Sequence, residues 1–350
     1  MENKQPWLYK SWMEWLFIIA PPFFCLLLIM VFPALFQNNN SMPAYWWVVL
    51  ILLIDVGHVY STLYRTYLNP QAWHKYRQPM QWIPVLSLLL FIVIHSLSSI
   101  AFWMVLAYLA VFHFIRQQYG IFQLYSRKEQ HTKITGTIDI ITIYAATLYP
   151  VLYWHFSGNR NFTWFVEGDF LLVNAPKILP FFTGIYITIL VTYIVKEFKQ
   201  KAFNLPKNMV MAGTVLSWYL GIVYFNGDMA FTLFNVVSHG IPYMALVWIY
   251  IQKENTDNNP YKNSNFYKLL FGQYGILIFV LSLMLFAYIE EGFWDGIVWK
   301  EHGSVFGAFR QLDRYIQSHS WMNILIPLLA LPQITHYIID GFIWRKNSKH

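Results

Sequence analysis

Four histidines lie inside apolar stretches that are long enough to cross a lipid bilayer. They are His58, His113, His239 and His336. An ionisable side chain in the hydrocarbon core is costly, so histidines at that depth indicate a functional site. Neutral imidazole is also a common ligand for metal ions. The four histidines therefore predict a metal site inside the membrane.

Three of these histidines have a carboxylate or a carboxamide one helical turn away. The three pairs are Asp55–His58, His113–Gln117 and His336–Asp340. Residues three or four apart share one face of a helix, and a metal-bound imidazole needs a hydrogen-bond partner for its second nitrogen. The three polar neighbours are therefore predicted to orient the imidazoles or to act as additional ligands.

Arginine ends three of the same four apolar stretches, at Arg65, Arg116 and Arg345. Basic residues at the cytoplasmic ends of spans are the ordinary outcome of the positive-inside rule. The alternative is a basic mouth, in which these arginines contact an anionic group of a ligand. The sequence leaves both interpretations open.

Three further histidines stand apart from the four. His95 and His155 lie towards the opposite ends of their apolar stretches, and His74 lies in a loop. We interpret them as structural or solvated, since a lone histidine in a membrane often hydrogen-bonds a neighbouring helix. Whether one of them joins the metal site is left open.

Charged residues are scarce along the whole chain. Only 12% of the 350 residues are charged and 57% are hydrophobic, whereas about a quarter of the residues in a soluble domain are charged. We therefore predict a single integral membrane domain over residues 1–350. The net charge of +7 comes from short basic loops and does not indicate nucleic-acid binding. Cys25 is the only cysteine, so nitrogen and oxygen ligands must hold any metal.

About 20 apolar residues cross a bilayer, and that length predicts an all-α, polytopic transmembrane helix bundle of about ten spans. The spans lie near residues 13–36, 43–65, 81–97, 99–119, 136–157, 177–196, 208–226, 228–251, 266–289 and 320–344. A turn around residues 96–99 separates the third from the fourth. Basic loops alternate with neutral or acidic ones, such as the loop with Glu290, Glu291 and Asp295. That alternation predicts that both termini are cytoplasmic.

In this topology the four histidines lie on spans two, four, eight and ten, which all run in the same direction. At a rise of about 1.5 Å per residue, their depths agree to within about two helical turns. The sequence therefore predicts one site assembled from four separate helices.

Four short segments resemble those of a known enzyme family. Residues 332–345, PQITHYIIDGFIWR, resemble the C-terminal histidine segment of the Brp/Blh-type β-carotene dioxygenases. Asp55–His58 resembles that family's early Gly/His/Asp cluster, His113–Phe114 its later His-Phe segment, and Ser238–Gly240 its late histidine. The family comprises polytopic membrane enzymes whose histidines, on separate helices, bind iron. The resemblance implies an iron oxygenase, without implying a particular product.

The predicted function is that of a membrane-embedded, non-haem metal oxidoreductase, a metal-dependent oxygenase. Its metal would be iron (Fe2+), ahead of other divalent metals, held by His58, His113, His239 and His336. It would act with O2 on a lipophilic small molecule, isoprenoid or carotenoid-like, that arrives from the surrounding membrane lipids. The short loops predict a bacterial inner (cytoplasmic) membrane, and the oligomeric state is left open.

Two other function classes use the same residues. A transporter would move a metal ion or a proton through the intramembrane histidines and aspartates. A haem-binding membrane protein would use two of the four histidines as axial ligands. The sequence does not exclude either class.

Overall fold

The computed structural model describes residues 5–37, 42–130, 132–311 and 319–344, and every regular element in these ranges is a helix. The long helices are α1 (Ser11–Val31), α2 (Ala44–Arg65), α3 (Pro70–Leu97), α4 (Ser99–Ser126), α5 (Lys133–Phe156), α6 (Pro176–Phe198), α7 (Leu205–Trp218), α8 (Asp228–Glu254), α9 (Gly275–Trp299), α10 (His319–Leu329) and α11 (Leu331–Ile343). Shorter helices lie at Ala34–Gln37, Asn265–Leu270 and Gly303–Phe306, and α7 continues as a π-helical turn at Tyr219–Tyr224. The prediction of an all-α fold is confirmed.

Eight helices in the described ranges are long and apolar enough to span a membrane: α1 to α6, α8 and α9. The pair α10 and α11 is bent by 45° and would make a ninth if it is one span. Helix α7 coincides with the predicted span at residues 208–226 but is not among the candidates. The chain therefore has the helices of an integral membrane protein, while the count of ten spans is not supported. The cytoplasmic location of both termini stays a prediction.

Two helix boundaries of the prediction have clear outcomes. The turn predicted around residues 96–99 is confirmed, since α3 ends at Leu97, Ser98 is extended and α4 begins at Ser99. The ninth span was predicted to end at residue 289, whereas α9 continues to Trp299. Glu290, Glu291 and Asp295 were therefore assigned to a loop incorrectly, because a window of apolar residues stops at the first carboxylates.

Local chemistry fixes where several helices begin. The side chain of Asn69 accepts hydrogen bonds from the backbone N–H groups of Gln71 and Ala72, at 3.0 and 3.3 Å. Pro70 follows it, and proline is favoured at the first position of a helix because its missing N–H has no partner there. Thr132 and Thr135 form a reciprocal capping box at the start of α5, which satisfies two otherwise orphaned donors.

The chain divides into two compact units, of which the first comprises Met1–Met42 and Ala110–Ala245. Within it α5 packs against α6 and α7, and α7 packs against α1. Gly213 of α7 makes the contact with α1 close, since an added Cβ there would lie 2.6 Å from the Pro22 ring. This unit holds His113 and His239.

The second unit comprises Pro43–Leu109 and Leu246–His350. Within it α9 packs against α2, while α10 and α11 pack against α3, and α11 also packs against α2. A small apolar cluster of Leu52, Val56, Ala287 and Phe306 joins α2, α9 and the helix at Gly303–Phe306. This unit holds His58 and His336. The prediction of one membrane domain over residues 1–350 stays a prediction.

Candidate metal centre

His58 and His336 form a pair in the second unit. Their ring centroids lie 5.0 Å apart with the ring planes at 76°. The two residues are 1% and 2% exposed, so both imidazoles are shielded from solvent. His58 follows a π-helical stretch at Val48–Val56 within α2. Such stretches often mark functional sites, because they re-aim the side chains of a helix.

Thr62 provides the hydrogen-bond partner of His336. Its Oγ1 lies 2.6 Å from His336 Nδ1, and both side chains are buried. Thr62 follows His58 by four residues, so one face of α2 presents both side chains. A hydroxyl bound to Nδ1 leaves Nε2 of His336 as the nitrogen for a metal. The sequence analysis did not identify Thr62. Its spacing of four residues from His58 would have indicated that the two side chains share one face of the helix.

The two predicted aspartates are near their histidines but do not hydrogen-bond them. Asp55 Oδ1 lies 3.6 Å from His58 Nδ1, and Asp340 Oδ1 lies 3.8 Å from His336 Nδ1. These separations allow an electrostatic interaction but exceed the usual range of about 2.7–3.2 Å for an N–H···O hydrogen bond. The carboxylates can therefore stabilise positive charge at the imidazoles, while Thr62 fixes the His336 ring.

Replacing Thr62 with valine should lower the affinity of the protein for its metal. Valine keeps the shape of threonine but offers no partner to His336 Nδ1, and loss of such an outer partner typically weakens metal binding about 10- to 100-fold. Competition with a chelator, followed by metal analysis, measures the change. Thr66→Val is the matched control, because Thr66 Oγ1 donates to the Thr62 carbonyl at 2.6 Å and not to a histidine. Equal affinities in the two variants would contradict the role of Thr62.

His113 and His239 form the pair in the first unit. Their ring centroids lie 5.1 Å apart with the planes at 81°, and the two residues are 3% and 0% exposed. The ring of Phe114 stacks face to face on His239, with centroids 3.5 Å apart. An aromatic ring against one face of the imidazole limits its rotation, so His239 is held in a single orientation.

The backbone beside His239 is supported by two glutamines of α4. Pro242 has no N–H, so the carbonyl of Ser238 loses its ordinary helical donor. The Gln118 side-chain amide donates to that carbonyl at 3.3 Å, and the Gln117 amide donates to the His239 carbonyl at 2.8 Å. Gln117 thus contacts the backbone of His239. The prediction that Gln117 orients the His113 ring stays a prediction.

All four histidines belong to one group of candidate metal ligands. One ring nitrogen from each of His58, His113, His239 and His336 lies within 4.8 Å of the others, and all four residues are buried. Two nitrogens on opposite sides of a metal ion, each at about 2.1 Å, are about 4.2 Å apart. The four nitrogens are thus at separations that one ion can bridge with small side-chain movements. In the described part of the chain, this is the one group of histidine, cysteine or acidic residues with that property.

The three further histidines, His74, His95 and His155, lie outside this group. His95 Nδ1 is 3.0 Å from Asn323 Oδ1, and His155 Nδ1 donates to the Val151 carbonyl at 2.7 Å. The prediction that His74 lies in a loop is wrong, because His74 is exposed on α3, which begins at Pro70. The interpretation of these three histidines as structural or solvated stays a prediction.

Two of the three arginines considered for a basic mouth, Arg65 and Arg116, lie in the described part of the chain. Arg65 is 3% exposed, and its guanidinium lies 3.6 Å from the Tyr250 ring centroid and 3.6 Å from Glu254 Oε1. The positive charge of Arg65 therefore interacts with Glu254 and Tyr250 inside the protein. Arg116 is exposed and donates a hydrogen bond to the Tyr144 hydroxyl. Arg345 lies outside the described residues.

Comparisons with known proteins do not assign the chain to a family. No protein-family model, curated protein or solved structure matches it. The resemblance to the Brp/Blh-type dioxygenases stays a prediction that rests on the four short segments.

Proposed function

We propose that the protein is a membrane-embedded, non-haem metal oxidoreductase that acts with O2. The observation that carries the proposal is the group of four buried histidines, whose ring nitrogens lie within 4.8 Å of one another. Structural histidines in membrane helices usually appear singly, bonded to a neighbouring helix. Four imidazoles gathered at one point, with Thr62 and Phe114 fixing two of them, are typical of a metal centre.

The ligand set limits which metals fit. Four neutral imidazoles suit iron, zinc, copper and nickel. Cys25, the only cysteine, is not in the group, and its thiol lies 3.5 Å from the Leu233 carbonyl. We propose iron, because the four segments resemble an iron-binding family. The four imidazoles would hold the iron, which would supply the electrons that activate dioxygen.

The chain's own residues hold and shield the site. Phe114 covers one face of His239, Thr62 holds His336 Nδ1, and the carboxylate of Asp55 lies beside His58. The four histidines are at most 3% exposed, so water has little access and electrostatic interactions at the site are strong. A substrate that reaches such a site through apolar helices is itself apolar. We therefore propose a lipophilic substrate, isoprenoid or carotenoid-like.

The packing of the imidazole pairs favours a single ion over a haem. In each pair the rings meet edge to face with centroids about 5 Å apart. A haem held by two histidines needs a wide planar slot between them, whereas these rings contact each other directly. The absence of a Soret band in purified protein would agree with this preference.

Oxygen consumption by purified protein tests the proposed function. Protein loaded with Fe2+ in nanodiscs is mixed with isoprenoid or carotenoid substrates in an oxygen-electrode cell, and the products are identified by mass spectrometry. We expect substrate-dependent O2 uptake that is lost in His113→Ala and kept in His95→Ala. Movement of metal ions or protons across proteoliposomes, without O2 uptake, would overturn the proposal in favour of a transporter.

A further inference from the structure

Three carboxylates are buried on α9, away from the histidine group. Glu290, Glu291 and Asp295 are 5%, 6% and 1% exposed. In the described part of the chain, neither lysine nor arginine lies within ion-pair distance of them, and His302 is the one basic side chain near Asp295. A buried carboxylate without a cation is costly, so it must take up a proton or bind a cation.

The carboxylates of α9 face α2. Leu52 and Val56 of α2 pack against Ala287 of α9, and Ala287 precedes the two glutamates by one helical turn. Asp55 lies between Leu52 and Val56 in the sequence, and it interacts electrostatically with both Glu290 and Glu291. The packing thus places Glu290 on the side of α9 that faces Asp55 of α2. Asp55 in turn lies beside His58.

The immediate surroundings of Glu290 are hydrogen-bonding groups without formal charge. Its Oε1 accepts a hydrogen bond from the Gln333 amide at 3.5 Å, and the Tyr60 hydroxyl and the Trp294 indole also face the carboxyl group. Among the described residues, Glu290 Oε2 and Trp294 Nε1 are buried with no hydrogen-bond partner. A buried acceptor with a neighbouring indole N–H is suited to an O–H group or to an exchanging water molecule.

A proton fits this cluster better than a metal ion. A metal needs three or more ligand atoms close to one point, and in the described part of the chain the four histidines are the one such group. Asp55, Glu290, Glu291 and Asp295 do not converge in this way. A series of carboxyl groups at moderate spacing is typical of proton relays in membrane proteins.

We propose that Glu290 is a proton-binding site within the membrane. Asp295 Oδ1 accepts hydrogen bonds from the backbone N–H groups of Glu301 and His302 at 2.8 and 2.6 Å, and His302 is partly exposed. This end of α9 therefore connects to water. The proton leaves the Glu290 carboxylic acid for a water molecule, the carboxylate remains, and the reverse transfer restores the acid.

The other groups that face Glu290 share its electrostatic environment. They are Asp55 and Tyr60 on α2, Glu291 and Trp294 on α9, and Gln333 and Tyr337 on α11, while Asp295 acts on Glu291. Gln333 precedes His336 by one helical turn, so the proton site adjoins the candidate metal centre. Release of this proton would offset an increase of positive charge at that centre. This coupling to the metal centre rests on the proposed function, whereas the proton-binding site itself does not.

Infrared spectroscopy of the purified protein tests the proposal without metal. A protonated carboxylic acid has a C=O stretch that shifts in D2O, and we expect this band in the wild type at neutral pH. Glu290→Gln should remove the part of the band that Glu290 contributes, and Glu290→Asp should keep that part at a shifted frequency. Glu301→Gln removes an exposed carboxylate and should leave the band unchanged.

Each outcome separates the proton site from the metal site. A smaller band in Glu290→Gln than in the wild type, with equal metal content, supports the proposal. A wild type without the band, or a band of unchanged size in Glu290→Gln, overturns it. If the wild type shows the band but binds no metal, the proposed function fails and the proton-binding site is supported.

Discussion

Replacing any one of the four histidines with alanine is expected to remove most of the bound metal. His58, His113, His239 and His336 each offer one ring nitrogen to the group. Loss of an outer hydrogen-bond partner already weakens metal binding about 10- to 100-fold, and loss of a ligand itself has a larger effect. Metal analysis of detergent-purified protein, after dialysis against a moderate chelator, measures the loss.

The matched control for this series is His95→Ala. His95 is also buried, at 7% exposure, but its Nδ1 lies beside Asn323 rather than the other histidines. The His95→Ala variant shows the effect of removing a buried imidazole that is not a candidate metal ligand. If the four variants keep as much metal as His95→Ala does, the metal lies elsewhere.

Replacing Lys207 with methionine is expected to cause the largest loss of stability. Lys207 is fully buried, and its Nζ lies 2.8 Å from Glu129 Oε2 and 2.7 Å from Glu197 Oε1. Asp139 Oδ2 is 3.8 Å from the same nitrogen. Removing one partner of a buried ionic network leaves uncompensated charge and costs roughly 3–5 kcal/mol. Unfolding of the protein in mixed micelles by denaturant measures the change in free energy.

Two further variants make this prediction specific. Lys262→Met removes a lysine whose partner, Asp257, is exposed, and pairs of exposed charges contribute little to stability. It should unfold like the wild type. Adding Glu197→Gln to Lys207→Met lowers the excess of negative charge in the network and should restore part of the lost stability. Equal stability of Lys207→Met and the wild type would show that the network is not needed.

The histidine group was predictable from sequence because its signal is local to each helix. An apolar run of membrane length gives a histidine its approximate depth, and equal depth on parallel spans is a condition for one shared site. The contacts made by Thr62 and Gln117 were not predictable. They depend on which helices are neighbours and on the rotation of each helix, and a single sequence specifies neither.

The errors in the spans have physical causes. The apolar window ended at Glu290, although the packing of α9 buries carboxylates beyond that point. Helix α7 begins with Leu205–Asn208, and its polar residues join an ionic network rather than facing lipid. Pro332 at the start of α11 follows the bend from α10, and hydropathy alone does not distinguish a bent pair of helices from one straight span.

X-ray absorption spectroscopy of the purified wild type, together with its metal-to-protein ratio, tests the shared metal centre most directly. We expect one metal ion per chain, bound by about four imidazole nitrogens at the distances typical of metal–histidine bonds, about 2.0–2.1 Å. No haem absorption band should be present. A folded wild type without stoichiometric metal, or a metal without an imidazole shell, would contradict the shared four-histidine site.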